Sequence, residues 1–130
     1  MTRILLVEDE DLNRTLVKAV LARAQIQAVR DAEVLDAGSL AAARRRLQDE
    51  DVDLVLLDMN LPDGNGLTLA RELAAQGSVE DRQRPAVVAV TASVLPQDRA
   101  AAIAAGCDGF LDKPYAAADL LAVVADHLRA

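Results

Sequence analysis

The sequence predicts an α/β domain: a doubly wound five-stranded parallel sheet with five helices covering both its faces. Three observations carry that prediction. Helical and strand periods alternate from one end of the chain to the other. The clearest strand segments are short, continuous apolar runs, the signature of strands buried on both faces. The length, 130 residues, suits one domain with a single core, spanning 1–130.

The elements follow in order. Ile4 to Val7 is the first apolar run and the first strand. Leu12, Leu16 and Val20, with Val17 and Leu21 beside them, then repeat at helical spacing, which predicts a first helix with Arg14 and Lys18 facing outward. Gln25 to Asp31 is a polar connection, and Glu33 to Asp36 is a weaker second strand. Gly38-Ser39 opens a second helix, with Leu40, Ala43 and Leu47 on one face. Asp53 to Leu57 is the clearest strand and ends abruptly at Asp58; the turn-rich Pro62-Asp63-Gly64-Asn65-Gly66 follows. A third helix carries Leu69, Ala70 and Leu73 inward and stops at Gly77, before a charged loop over 78–85. Ala86 to Val90 is the fourth strand. Pro96 suits the first turn of a fourth helix that Gly106 closes. Gly109 to Asp112 is the fifth strand. Ala117 to Leu128 is the last helix, with Leu120, Leu121, Val124 and Leu128 inward.

Composition narrows the function classes. Apolar residues make up 52% but aromatic residues only 2%, so the core must be aliphatic. A net charge of −7 argues against a nucleic-acid surface, which needs a basic face. The basic cluster Arg44-Arg45-Arg46 is offset at once by Asp49-Glu50-Asp51 and reads as a solvated helix face. Cys107 is the one cysteine, which rules out an internal disulfide, and its small neighbours suggest burial. No stretch approaches the ~20 apolar residues of a membrane span. Met1 to Val7 enters a strand without a signal-peptide layout, so a cytoplasmic location is expected.

The chemistry collects after the strands. In an open parallel sheet, ligands sit beyond the carboxyl ends of the strands. Glu8, Asp9, Glu10 and Asp11 follow the first strand; Asp58 and then Asn60 follow the third. Thr91 follows the fourth and Lys113 the fifth, whereas the second contributes nothing comparable and reads as an edge. Crowded carboxylates repel, and either shifted pKa values or a cation relieves them. Oxygen ligands that leave room for water suit Mg²⁺. One carboxylate would remain free to attack phosphorus, with Lys113 neutralising the transferred group and Thr91 donating a hydrogen bond to it.

Four segments carry a family resemblance. Ile4-Leu5-Leu6-Val7-Glu8-Asp9-Glu10, Leu57-Asp58-Met59-Asn60-Leu61-Pro62-Asp63-Gly64, Val90-Thr91-Ala92 and Asp112-Lys113-Pro114 resemble the signature stretches of response-regulator receiver domains, in order and over nearly the whole chain. The resemblance implies a flavodoxin-like receiver fold with strand order 2-1-3-4-5. It implies Asp58 as phosphoacceptor, Asp9 as direct Mg²⁺ ligand, Glu8 acting through water, and Asn60 offering its backbone carbonyl, with Mn²⁺ an acceptable substitute. It makes Thr91 the switch hydroxyl, Phe110 the switch aromatic and Lys113 the phosphoryl-binding lysine, with a cis Lys113-Pro114 bond. Two departures stand out. Phe110 replaces the more usual Tyr and so lacks a hydroxyl, and Ala116 replaces a capping Asp or Ser, with Asp119 in the first turn as partial compensation.

Each residue also has a plainer role. Asp58 alone could cap a turn, Glu8 to Asp11 could complement a helix terminus, and Lys113 could be a solvated surface lysine. Thr91 alone would be a β-branched strand residue, and His127, in the last helical turn, reads as structural. The functions weighed are three. The first is a receiver that takes phosphoryl from a histidine kinase or histidine phosphotransfer protein, catalysing only its own phosphorylation and dephosphorylation. It would switch a downstream protein target through the face made by the fourth helix, fifth strand and last helix, as a monomer or weak dimer, with no nucleic acid or membrane. The second is a phosphotransferase or phosphatase with an aspartyl-phosphate intermediate, disfavoured because Asn60 stands where such enzymes place an acid. The third is an interaction module that needs no phosphorylation. Read as a whole polypeptide the chain would be a single-domain regulator; Glu8-Asp9-Glu10 with Asn13-Arg14 also resembles receivers attached to hybrid kinases. Asn60 and Ser93 are expected to flank the path of attacking water and so to influence phosphate lifetime.

Overall fold

The computed structural model describes residues 2–76, 84–92 and 95–128. Gly77, most of the charged loop that follows it, and Ser93 lie outside those residues. The sheet contains β1 (Arg3–Val7), β2 (Glu33–Ala37), β3 (Leu54–Asp58), β6 (Ala86–Thr91) and β7 (Gly109–Asp112) in the order β2-β1-β3-β6-β7. Every pairing within it is parallel. Counting these long strands alone, the order is the expected 2-1-3-4-5. Two further strands, β4 (Asn60–Leu61) and β5 (Gly64–Asn65), form a small antiparallel ribbon within the turn-rich segment.

The apolar runs become strands because both sheet faces are covered, and their side chains alternate between two cores. Leu5, Val7, Val55, Leu57, Val87 and Ala89 point to one side. There they meet α3 (Leu40–Asp49), α4 (Leu67–Gln76) and α5 (Pro96–Ala104) through Leu40, Ala43, Leu69, Ala70, Leu73 and Ala102. Ile4, Leu6, Leu54, Leu56, Val88 and Val90 point to the other. They meet α1 (Asp11–Ala22) and α6 (Ala117–His127) through Val17, Leu21, Leu120 and Val124. The core is aliphatic, as the composition requires; Phe110 and Tyr115 sit only partly buried at its margins.

The expected helices number five, and the described residues form six. The extra one is α2, a single turn over Gln27–Arg30 in the polar connection, which buries Val29. The larger correction concerns α1. Leu12 and Leu16 are exposed at 67% and 53%, while Val17 and Leu21 face the core. Arg14 turns back to bond the Glu8 carbonyl, while Lys18 stays largely solvent-facing and pairs with Asp36. The buried stripe therefore lies about one residue, some 100°, from the one the leucine spacing suggests.

Helix ends agree better with expectation. Ser39 Oγ accepts the Ala42 N–H at the start of α3. Asp63, on the ribbon, accepts the Leu40 and Ala41 N–H groups as well, at 2.8 and 3.1 Å. These bonds hold the Asp63 carboxyl below the ordinary carboxylate range. Ala116 precedes α6 without a side-chain cap, and Asp119 supplies first-turn charge. Gly106 closes α5 at φ 99°, and a Cβ there would lie 2.7 Å from Ala74 Cβ. Cys107 is buried, and burial pushes its thiol up to about 11. His127 is structural: its ring nitrogens face the carbonyl oxygens of Val123 and Asp108, bracing α6 against the start of β7.

Candidate functional site

Because the sheet strands are parallel, their ends bring distant residues to one edge. β1 stops before Glu8 and Asp9, β3 ends in Asp58, β6 in Thr91, and β7 just before Lys113. The edge strand β2 adds none of these groups; its Asp36 is engaged by Lys18, which lowers the carboxyl's pKa. Carboxylate oxygens of Glu8, Asp9 and Asp58 all lie within 4.8 Å of one another. Glu8 and Asp58 are each 5% exposed, and Asp9 opens to solvent. Lys113 Nζ reaches both buried members, 3.3 Å from Asp58 Oδ2 and 3.4 Å from Glu8 Oε2. The Lys113-Pro114 bond is cis.

The backbone holds Asp58 in place. Its Oδ1 accepts the Asn60 N–H at 3.1 Å. The next residue, Met59, donates its N–H to Val90 O and accepts that of Gly66. Gly66 is required by this approach, since a Cβ there would lie 2.3 Å from the Asp58 carbonyl oxygen.

Electrostatics separate the buried carboxyls. Desolvation raises the Asp58 pKa, and the Glu8 side chain beside it adds to the rise. For Glu8 burial pulls the same way, but hydrogen bonds from Asp58, Asn13 and the Glu10 backbone, with the Lys113 charge, hold it below its ordinary value. Lys113 loses solvation too, yet the two carboxylates raise its pKa overall. When all are ionised, three carboxylates against one ammonium leave two negative charges in excess. Such a cluster of oxygen ligands, open on the Asp9 side, fits a hard divalent cation of the Mg²⁺ kind.

Two residues here escaped the sequence reading in this role. Asn13 Nδ2 donates to Glu8 Oε1 at 3.2 Å, and Arg14 Nη1 to the Glu8 carbonyl at 2.7 Å. Their signal in the sequence was a polar pair on the helix that follows the acidic stretch, noted there only for its resemblance to hybrid-kinase receivers.

Thr91 and Phe110 sit on adjacent strands, β6 and β7. Phe110 pairs in register with Ala89, and Thr91 with Asp112; Lys113 N–H bonds the Thr91 carbonyl at 2.8 Å. A cavity of about 210 Å³ is lined by both Thr91 and Phe110 and reaches α5.

Comparison with known proteins gives a consistent result. The response regulator receiver domain model matches residues 4–125. The KDP operon transcriptional regulatory protein KdpE of Escherichia coli K12 is 35% identical over 129 residues, 99% of this chain. The chain spans 52% of the length of KdpE. The two-component response regulator ORR41 of Oryza sativa subsp. japonica is 36% identical over 128 residues, 96% of this chain and 93% of that protein. Among solved structures, the receiver domain of the sensor histidine kinase PA1611 from Pseudomonas aeruginosa PAO1, with magnesium coordinated in its active-site cleft, matches with TM-score 0.77 and 27% identity. That match covers 97% of this chain and 96% of the PA1611 domain.

Proposed function

The chain belongs to the response regulator receiver domain family, and from that premise we propose that it accepts a phosphoryl group on Asp58 and signals by changing its α5–β7–α6 face. The observation that carries the proposal is the carboxyl-end cluster: three carboxylates within 4.8 Å, two of them sharing Lys113. Structural ion pairs balance their charges, whereas this group, when ionised, carries two negative charges in excess and is open to solvent at Asp9.

Asp9, Asp58 and the Asn60 backbone carbonyl would hold Mg²⁺, or Mn²⁺ in its place, with Glu8 acting through water; the bound ion supplies positive charge to the phosphoryl oxygens. An Asp58 carboxylate oxygen forms the bond to phosphorus as the phosphorus–nitrogen bond of a partner's phosphohistidine breaks, and the imidazole nitrogen keeps the bonding pair. Lys113 turns from Asp58 to the transferred oxygens, and the Thr91 hydroxyl donates a hydrogen bond to them. Thr91 then moves toward the phosphoryl group and Phe110 follows, shifting a two-state equilibrium in α5, β7 and α6. The chain turns over no external metabolite; it catalyses its own phosphorylation and hydrolysis.

The partner that delivers phosphoryl is a histidine kinase or histidine phosphotransfer protein in the cytoplasm. An apolar groove of about 550 Å³ beside Lys113, lined by Leu16, Val20, Pro114, Tyr115 and Ala117, offers such a partner a surface continuous with the site. The exposed Leu12 and Leu16 extend along the same helix. With a net charge of −7, the chain is a poor nucleic-acid binder. No helix among the described residues is long and apolar enough to cross a membrane. The downstream target is a protein docking on α5–β7–α6, and the regulator works as a monomer or weak dimer.

Beryllofluoride, a phosphoryl mimic, tests this reading by NMR. With Mg²⁺ it should shift resonances of Asp58, Thr91 and Phe110 together, and without Mg²⁺ it should shift none of them. Equal spectra with and without Mg²⁺ and beryllofluoride would count against the phosphoacceptor function.

A further inference from the structure

We propose that Arg99 is the residue that ties α5 to the position of the Phe110 ring, and that it holds the ring in its unphosphorylated place. This rests on the phosphoacceptor reading above and names a part of its switch. Arg99 lies in the first half of α5. Its guanidinium carbon stands 5.2 Å from the centroid of the Phe110 ring, within cation–π range. The same guanidinium pairs through Nη2 with Asp112 Oδ2.

Phe110 and Asp112 are two residues apart on β7, so their side chains share one face of the strand. One arginine therefore grips the switch ring and the residue in register with Thr91. The other Asp112 oxygen, Oδ1, is buried without a hydrogen-bond partner. The carboxylate thus leans on Arg99, and the grip fixes Arg99 as much as it fixes Asp112.

Phe110 has no hydroxyl, so no hydrogen bond from the ring can define where it rests. The cation above its face supplies that definition. The ring also lines the cavity of about 210 Å³, together with Met59, Ala89, Thr91, Ala102 and Arg99 itself. A ring drawn through this space toward Thr91 slides off the guanidinium, which Asp112 keeps in place. Arg99 then loses one of its two holds on β7, and α5 is free to shift with it. Arg99 accordingly opposes the switch in the resting protein and hands the change to α5 when it occurs.

A surface ion pair with no such role is the competing account, since both side chains remain near 40% exposed, Arg99 at 38% and Asp112 at 43%. That account predicts a small stability change and nothing at the phosphoryl site. The test compares wild type with Arg99→Met and Arg99→Lys, titrating beryllofluoride in excess Mg²⁺ and following Phe110 ring resonances by NMR. Arg99→Met keeps the aliphatic stem but removes the cation. It should lower the beryllofluoride midpoint roughly three-fold, the scale of an exposed cation–π contact. It should also move the Phe110 resonances of the free protein toward their bound positions, with Arg99→Lys in between. An unchanged midpoint and unmoved ring resonances in Arg99→Met, beside a responsive wild type, would overturn the role of Arg99 alone. A wild type that does not respond to beryllofluoride would overturn the phosphoacceptor reading and this inference together.

Discussion

The two ends of the sheet treat carboxylates in opposite ways. At the amino end, each of two aspartates accepts a strand N–H. Asp53 takes that of Arg3 at 2.9 Å, and Asp108 takes that of Val87 at 2.8 Å while also holding Arg84 through two N–H groups. At the carboxyl end, Glu8, Asp9 and Asp58 crowd one another around a single lysine. The first arrangement ties each carboxylate to a strand N–H, and Asp108 to Arg84 as well, and so braces the strands. The second leaves negative charge to be met by something from outside, and that unmet charge marks the site. A like number of acids at each end would look alike in composition; their partners tell them apart.

The largest expected effect comes from the backbone that supports the carboxyl end. Gly66→Ala drives a Cβ into the Asp58 carbonyl oxygen, so the turn must open and carry the end of β3 with it. A loss of roughly 3 kcal/mol is expected in urea denaturation, the upper range for overpacking. Wild-type stability in this variant would show that the approach to Asp58 is slack.

Next comes the amino end. Asp108→Ala leaves the Val87 N–H without its acceptor and Arg84 with only the longer bonds to the Pro85 and Gly106 carbonyls, at a cost of roughly 2 kcal/mol. The response to beryllofluoride and Mg²⁺ should stay as in wild type. A weakened response would mean that the two ends are coupled and the contrast is overdrawn.

A smaller effect of opposite sign belongs to Asp58. Its folded pKa is raised, so the folded state binds its proton more tightly than the unfolded chain does. The stability this confers is complete below the ordinary carboxylate range and is lost as pH climbs through the raised value. Glu8, held low, acts the other way and only on acidification below the ordinary range. Metal-free Asp58→Asn should therefore be more stable than wild type at neutral pH by about 1 kcal/mol, the low end for relieving a buried charge. It should also lack the decline expected of wild type just above the ordinary carboxylate range, followed by thermal unfolding across pH. A destabilised Asp58→Asn would say that Lys113 fully compensates the carboxylate.

Much of this was legible in the sequence because it is written locally. Apolar runs such as Leu54 to Leu57 can be read within a few residues, and parallel topology then sends whatever follows each run to one edge. That logic places Glu8, Asp9, Asp58, Thr91 and Lys113 at one edge from the sequence alone. What it missed depends on long-range fit. Leucine spacing in α1 suggested the wrong stripe, because the turn that covers the site uses Asn13 and Arg14 to reach Glu8 and leaves Leu12 and Leu16 outside. Asp63 reads as a turn residue, yet it caps a helix 23 positions away in sequence. The α2 turn is four residues long, too short to carry a period. The grip of Arg99 on Phe110 requires knowing that α5 brings Arg99 beside β7, which no local pattern states.

The central claim is that the unmet charge at the carboxyl end serves phosphoryl transfer to Asp58. Intact mass after incubation with acetyl phosphate and Mg²⁺, for wild type and Asp58→Asn, tests it most directly. The account predicts a gain of one phosphoryl group in wild type, abolished by removing Mg²⁺ and absent from Asp58→Asn. Phosphoryl gain persisting in Asp58→Asn, or gain in wild type that ignores Mg²⁺, would contradict it.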